Sequence, residues 1–278
     1  MTLLCDAEPT AAFSVLVLAG RRGGKDPVAQ AAGVPLKALA LASGVPLLVR
    51  VVRSLRAMPG VNRVLVSCEN PELVLGLPEL AALRGEGFLE TCPSASSPAA
   101  SVHAVLSRLR EPGALLVTTA DHPLLTPKIL TYFCVEADQR QTDIVVGVVT
   151  EDVVRARFPE TRRTWIPLRG ERLCGANLFW FRGERAARAA LFWMRAERYR
   201  KQPWRLARVF GISSLLSFWL RRLDLNAALS RVSCAMGVRV EAVRLPFAEC
   251  AVDVDRPEDL ALVNRLLAEE ETERGAGL

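Results

Sequence analysis

Four short stretches of the chain gather residues suited to handling phosphate. LAGRRGGK (Leu18 to Lys25) follows an apolar run directly. Glycines there let backbone N–H groups approach phosphate oxygens, and Arg21, Arg22 and Lys25 add positive charge. The spacing is neither GxGxxG nor GxxxxGK[ST], which argues against a dinucleotide fingerprint and against a P-loop. Lys37 lies in an apolar stretch, VPLKALALASGVPLL, close enough behind the loop to reach an α-phosphate. In TTADHPLL, Asp121 falls at the carboxyl end of an apolar run, where open α/β sheets bind ligands. AVDVDRPEDL brings Asp253 and Asp255. This segment reads as a strand with the two acids pointing to opposite sides, so that only one faces the site. Each stretch has a plainer reading: a basic surface turn, a solvated lysine, a turn aspartate, and a helix cap ahead of Pro257.

The elements that must position these residues can be read from their patterning. Residues 13–19, 61–67, 114–121 and 142–150 are apolar runs rich in β-branched residues, the mark of strands buried on both faces. Residues 87–91 suggest another strand. Pro46 to Met58 is an amphipathic run, Ser97-Pro98 opens a helix reaching Leu109, and Thr126-Pro127 opens the next. The stretch between the Gly loop and Ser43 reads as irregular. Strand and helix thus alternate through the first 150 residues, the α/β pattern with right-handed crossovers. Beyond it, TWIPLRG and LCGANLFWF (Leu173 to Phe181) read as strands, 184–236 as mainly helical, 238–246 as a late strand, and Pro257 to Glu271 as a closing helix. The expected organisation is a tail (1–12), one domain (13–268) with a basic helical insertion (184–236), and a second tail (269–278).

Charge and cysteines narrow the function classes. The formal charge of +6 is uneven: residues 182–222 carry eleven Lys/Arg against two acids, so that segment is +9 and the remainder −3. One basic segment on a slightly acidic body points to a local anionic contact and away from nucleic acid. Seven scattered cysteines without a CxxC pair argue against a zinc ribbon and a disulfide framework. They read as small buried apolar residues in a reducing cytoplasm. No apolar run is long enough to span a membrane, and Met1 to Thr10 does not read as a signal peptide.

Taken together and in this order, the four stretches resemble the nucleotidyltransferases with a MobA-like, GT-A-type fold. That family opens with LAGGxGxRM, a KPL or PKAL lysine and a G-x-P-L-L segment; here the match is LAGRRGGK…GVPLKALALASGVPLL. Its strand-end metal aspartate is matched by TTADHPLL and its closing D-x-D-x-P-E-D-L by DVDRPEDL. The second glycine of the usual pair is Arg21 here. The RM position is blurred into Gly24-Lys25, which leaves Arg22 and Lys25 both open as the phosphate-binding cation. The resemblance covers roughly residues 13–150 and 238–268.

The resemblance implies a three-layer α/β/α, Rossmann-like fold with a mixed, mostly parallel sheet and a helical insertion. It implies Mg²⁺ held by Asp121 and Asp255, with Lys37 completing the catalytic set. Leu18, Ala19, Gly20, Arg21, Arg22, Gly23, Gly24 and Lys25 would hold the nucleotide, and Ser97 and Ser101 would meet its base. Arg163 and Asn177, in an RT-aromatic strand followed by a GxN strand, would face the acceptor. The reaction implied moves a nucleoside monophosphate from CTP, GTP or UTP to a small phosphorylated acceptor: a sugar, a polyol or alcohol phosphate, or a cofactor. A phosphate nucleophile is already ionised and needs no histidine base, so His122 and His103 read as structural residues. The alternatives are a non-catalytic nucleotide-binding relative and a membrane-associated scaffold. Residues 195–222 mix Arg and Lys with Trp, Phe and Leu. They read first as a helical subdomain with a solvated basic face, and second as a peripheral contact with an anionic membrane.

Overall fold

The computed structural model describes residues 9, 11–21, 24, 26–109, 113–161, 163–199 and 223–276. The apolar runs become strands: β1 (Phe13–Leu18), then β2 (Leu41–Ala42) and β3 (Val45–Pro46), β4 (Val61–Cys68), β5 (Leu89–Pro93), β6 (Ala114–Thr119), β7 (Ile144–Thr150), β8 (Ile166–Pro167), β9 (Arg172–Arg182) and β10 (Val240–Arg244). Among the described residues one sheet has eight strands in the order β10-β7-β9-β6-β1-β4-β5, with β8 paired to β9, while β2 and β3 form a small hairpin. Every neighbour pair in the large sheet is parallel except those of β9, which runs against β6, β7 and β8.

The helices are α1 (Pro27–Ala31), α2 (Leu47–Arg56), α3 (Pro71–Leu75), α4 (Pro78–Gly85), α5 (Pro98–Leu106), α6 (Pro127–Gln139), α7 (Glu151–Arg157), α8 (Gly183–Tyr199), α9 (Leu225–Met236) and α10 (Pro257–Ala276). Their starts follow capping chemistry. Ser97, Thr126, Thr150 and Asp224 each accept a backbone N–H with the side chain, and proline holds the first position of α5 and α6.

Alternation along β1 divides the core. Val15 and Val17 pack with Leu47, Val51 and Leu55 of α2, Phe133 of α6 and Val263 of α10. Leu16, on the other face, packs with Val102 of α5, Ala186 and Ala190 of α8, and Leu229 of α9. Helices therefore cover both faces of a mostly parallel sheet, the three-layer arrangement expected.

Three local expectations are corrected. The stretch before Ser43 is not irregular: it holds α1, capped by Asp26, a 3-10 turn at Lys37–Leu39, and the β2–β3 hairpin. Residues 252–256 are not a strand but an irregular path leaving a 3-10 turn at Ala248–Ala251. On a strand, acids two residues apart would share a face; the irregular path is what separates Asp253 from Asp255. The closing helix also continues to Ala276, through most of the expected second tail. Most of the basic aromatic segment 195–222 lies outside the described residues. No described helix is long and apolar enough to cross a membrane.

At the centre of the sheet, Trp180 of β9 is 1% exposed and meets the Phe13 ring edge-on at 4.8 Å. Trp180→Ala is expected to lower stability by about 4 kcal/mol through lost contacts and the cavity left behind. The shift of the urea midpoint measures this, and a loss below about 1 kcal/mol would contradict the central placement of this ring.

Candidate functional site

The register of β1 with β6 sets Leu18 beside Thr119, and Ala120 N–H donates to the Leu18 carbonyl at 3.0 Å. The Gly loop and Asp121 therefore leave the sheet side by side at the carboxyl ends of adjacent parallel strands. The ends of β4 and β5 join them, because Ala19 N–H donates to Ser67 O and Ser94 N–H to Cys68 O. The segment 252–255 is drawn in from far along the chain by Val254 N–H, which donates to Asp121 O at 2.9 Å.

Lys37 lies at the centre of this gathering. Its Nζ is 2.6 Å from Asp121 Oδ2 and 2.9 Å from Asp255 Oδ1, so one ammonium holds two carboxylates from distant parts of the sequence. The Asp121 side chain is 9% exposed and the Asp255 side chain 47%. Thr119 donates its hydroxyl to Asp121 Oδ1 at 2.5 Å. Burial pushes the Asp121 carboxyl up, but the Lys37 charge, His122 and these hydrogen bonds outweigh it and hold the group below its ordinary value. Burial likewise pushes the Lys37 ammonium down, and the Asp121 and Asp255 carboxylates reverse this and leave it raised. Lys37 and Asp121 are thus both charged through the neutral range, and Asp255 brings a second carboxylate to the same ammonium.

The Gly loop is shaped by close approach. A side chain at Gly20 would place its Cβ 3.0 Å from Ser94 Cβ. Gly24 sits at φ +100°, where a side chain is strained. Glu69 Oε1 accepts the Arg21 N–H at 2.8 Å, and the Arg21 guanidinium donates to Pro35 O at 2.6 Å, so Arg21 ties the loop to the turn that carries Lys37. Leu18 ends β1, Ala19 is buried behind the loop and Gly20 is exposed, whereas Arg22, Gly23 and Lys25 lie outside the described residues. Ser97 Oγ accepts Ala100 N–H as the cap of α5, and Ser101 Oγ accepts Ala95 N–H at 2.9 Å. Both serines shape residues 94–97 beside the Gly loop, with their O–H groups still able to donate.

Behind the triad lies a buried polar layer. His122 is 1% exposed, burial holds its imidazole below the usual pKa, and its Nε2 is 2.8 Å from Asn177 Nδ2. Asn177 adopts φ +50° where the β7–β9 register shifts between Val146 and Val148, and this turns its amide toward His122. Arg163 is not on the strand surface. Its side chain is 8% exposed and its Nη1 forms an ion pair with Asp253 Oδ1. An open cleft of about 980 Å³ between residues 157–161 and α10 shares Arg256 and Asp259 with this region, but none of Lys37, Asp121 or Asp255 lines it.

Glu69 and Thr119 were not among the residues picked out by spacing. Glu69 follows an apolar strand as Asp121 does, and Thr119 stands two residues before the acid it supports. Those are the signals that could have found them.

The glycine turn, the lysine and the two acids gather at the carboxyl edge of an α/β sheet, where open sheets of this kind bind their ligands. The chain matches the MobA-like NTP transferase domain over residues 15–202 and belongs to that family of nucleotidyltransferases. A hypothetical transferase from Thermus thermophilus is 32% identical, with 90% of this chain and 99% of that one covered at a TM-score of 0.74. CMP:2-keto-3-deoxy-manno-octonic acid synthetase, solved with CTP, shares the fold at 15% identity, covering 94% of this chain and 100% of that one, TM-score 0.56. The 4-diphosphocytidyl-2C-methyl-D-erythritol synthase of Anaerococcus prevotii does so at 11% identity, covering 93% and 96%, TM-score 0.54. A comparison with curated proteins gave no match.

The ion pairing has a pH signature. The Asp121 contribution to stability is present above the ordinary carboxylate range and is lost as pH falls through its lowered value. The Lys37 contribution is present below the ordinary lysine range and is lost as pH rises through its raised value. Lys37→Met leaves Asp121 buried without its partner and is expected to cost about 3 kcal/mol at neutral pH. Urea denaturation across pH should show this gap narrowing below about pH 4; a gap independent of pH would contradict the pairing.

Proposed function

We propose that this protein transfers a nucleoside monophosphate from a nucleoside triphosphate to a small phosphorylated acceptor and releases pyrophosphate. The observation that carries this reading is the shared ammonium: Lys37 brings Asp121 and Asp255 to one point beside the Gly20 turn. In the reaction an acceptor phosphate oxygen bonds to the α-phosphorus, and the bond from that phosphorus to the bridging oxygen breaks. The acceptor oxygen is already ionised, so the protein has no proton to remove. Positioning and neutralisation of charge then account for the rate.

The donor set suits magnesium. Two hard carboxylate oxygens aim at a single cation, and Mg²⁺ takes one or two carboxylates together with phosphate and water oxygens. Two carboxylates leave the other positions of the shell to phosphate and water oxygens. When bound, the ion would neutralise phosphate charge and orient the triphosphate. Asp121 and Asp255 would hold it, and Lys37, on a flexible stem from its 3-10 turn, would turn its ammonium to the α-phosphoryl oxygens as negative charge builds there. The Gly20 turn, exposed at the strand tips, would lie along the departing pyrophosphate. His122, neutral and buried against Asn177, holds the wall behind the acids and takes no part in proton transfer.

Likeness to a synthetase solved with CTP supports testing cytidine nucleotides first. CTP, GTP, UTP and ATP, each paired with a panel of sugar, polyol and cofactor phosphates, should yield magnesium-dependent pyrophosphate release for at least one pair. Lys37→Met and Asp121→Asn should each lower kcat by about two decades or more. Folded protein that releases no pyrophosphate with any pair would overturn the reading.

A further inference from the structure

Asp255 has a half-exposed side chain and reaches the site from a segment without regular structure. Something must hold that backbone in place for its carboxylate to meet Lys37. The segment is gripped from two directions by one cation. Arg163 Nη1 forms an ion pair with the Asp253 carboxylate and also donates to the Asp253 carbonyl at 3.3 Å. Arg163 Nη2 lies 3.6 Å from Asp259 Oδ1, an ion-pair contact beyond hydrogen-bond reach. The other oxygen of that same carboxylate, Asp259 Oδ2, accepts the N–H groups of Asp255 at 3.2 Å and Arg256 at 2.9 Å. A guanidinium taken out of water must be paired, and here its two acids flank Asp255 in sequence.

We propose that Arg163 is a positioning residue, which sets Asp255 against Lys37 by clamping Asp253 and Asp259 on either side of it, and not a substrate contact. This rests on the nucleotidyl-transfer reading for its catalytic consequence, but the clamp itself does not. Arg163 reaches the segment from the connection between α7 and β8, so this stretch of chain, far from the Gly loop, sets the geometry of the triad. A misplacement of about 1 Å is enough to lower a rate by about 10²-fold.

The test has two arms. Amide hydrogen exchange at residues 255 and 256 needs no turnover; Arg163→Met should speed it at least about tenfold, and Asp259→Asn, which leaves Arg163 in place, should do so as well. Unchanged exchange in Arg163→Met would overturn the clamp, whatever Asp259→Asn shows. In the kinetic arm, Arg163→Met should lower kcat by ten- to a hundredfold, in order of magnitude, with the acceptor KM held within about twofold. The same substitution in an Asp255→Asn background should add less than about a twofold loss, because the residue it positions is already neutral. A raised acceptor KM with kcat retained, or losses that multiply in the double variant, would make Arg163 a substrate contact or an independent contributor and overturn the proposal. If the parent itself shows no turnover, the nucleotidyl-transfer reading fails and the exchange arm alone decides the clamp.

Discussion

The site depends on one ammonium shared by two carboxylates. Asp121 is almost fully buried, and an aspartate in that position stays charged only because Lys37 and Thr119 compensate for its lost water. Removing the lysine would leave a buried charge; removing the acids would leave the lysine in an apolar surrounding. Each member is therefore held by the others, and under the proposed function the two carboxylates would take a divalent cation in place of the ammonium.

The sheet order explains how such distant residues meet. Parallel pairing of β1 with β4 and β6, and of β4 with β5, turns four carboxyl ends to the same edge. That edge receives the glycine turn, Glu69, Ser94 and Asp121. Lys37 and Asp255 come from outside the sheet and need other fasteners. The first is tied through Arg21, whose guanidinium donates to Pro35 O. The second is tied by Val254 N–H on the Asp121 carbonyl and by the acids around Arg163. Rigid strands thus supply the fixed half of the site, and ion pairs from irregular chain supply the other half.

The strands were legible because their apolar runs are long and free of breakers, and α5 and α6 because Ser-Pro and Thr-Pro mark their starts. The lysine and the two acids were legible as residue types at strand ends and in a motif order. Less was legible where tertiary contacts decide. The pattern AVDVD alternates like a strand, yet residues 252–256 find no strand partner and run irregularly. Arg163 carries the same charge wherever it points, and only the fold shows it paired with Asp253 and close to Asp259. His122 sits in a turn, as its neighbours Asp121 and Pro123 suggest, but its burial against Asn177 depends on a register shift between β7 and β9 that no local pattern announces.

Phosphoryl chemistry asks a protein mainly for placement of charge, and under the proposed function a few residues on a widely used scaffold would supply it. The most direct test of the shared carboxylate site is anomalous diffraction from Mn²⁺ in crystals grown with a non-hydrolysable nucleoside triphosphate. One strong peak is expected between the carboxylates of Asp121 and Asp255, with the triphosphate lying along the Gly20 turn and the Lys37 ammonium moved onto it. Metal and nucleotide bound elsewhere, with Lys37 still between the two acids, would contradict it.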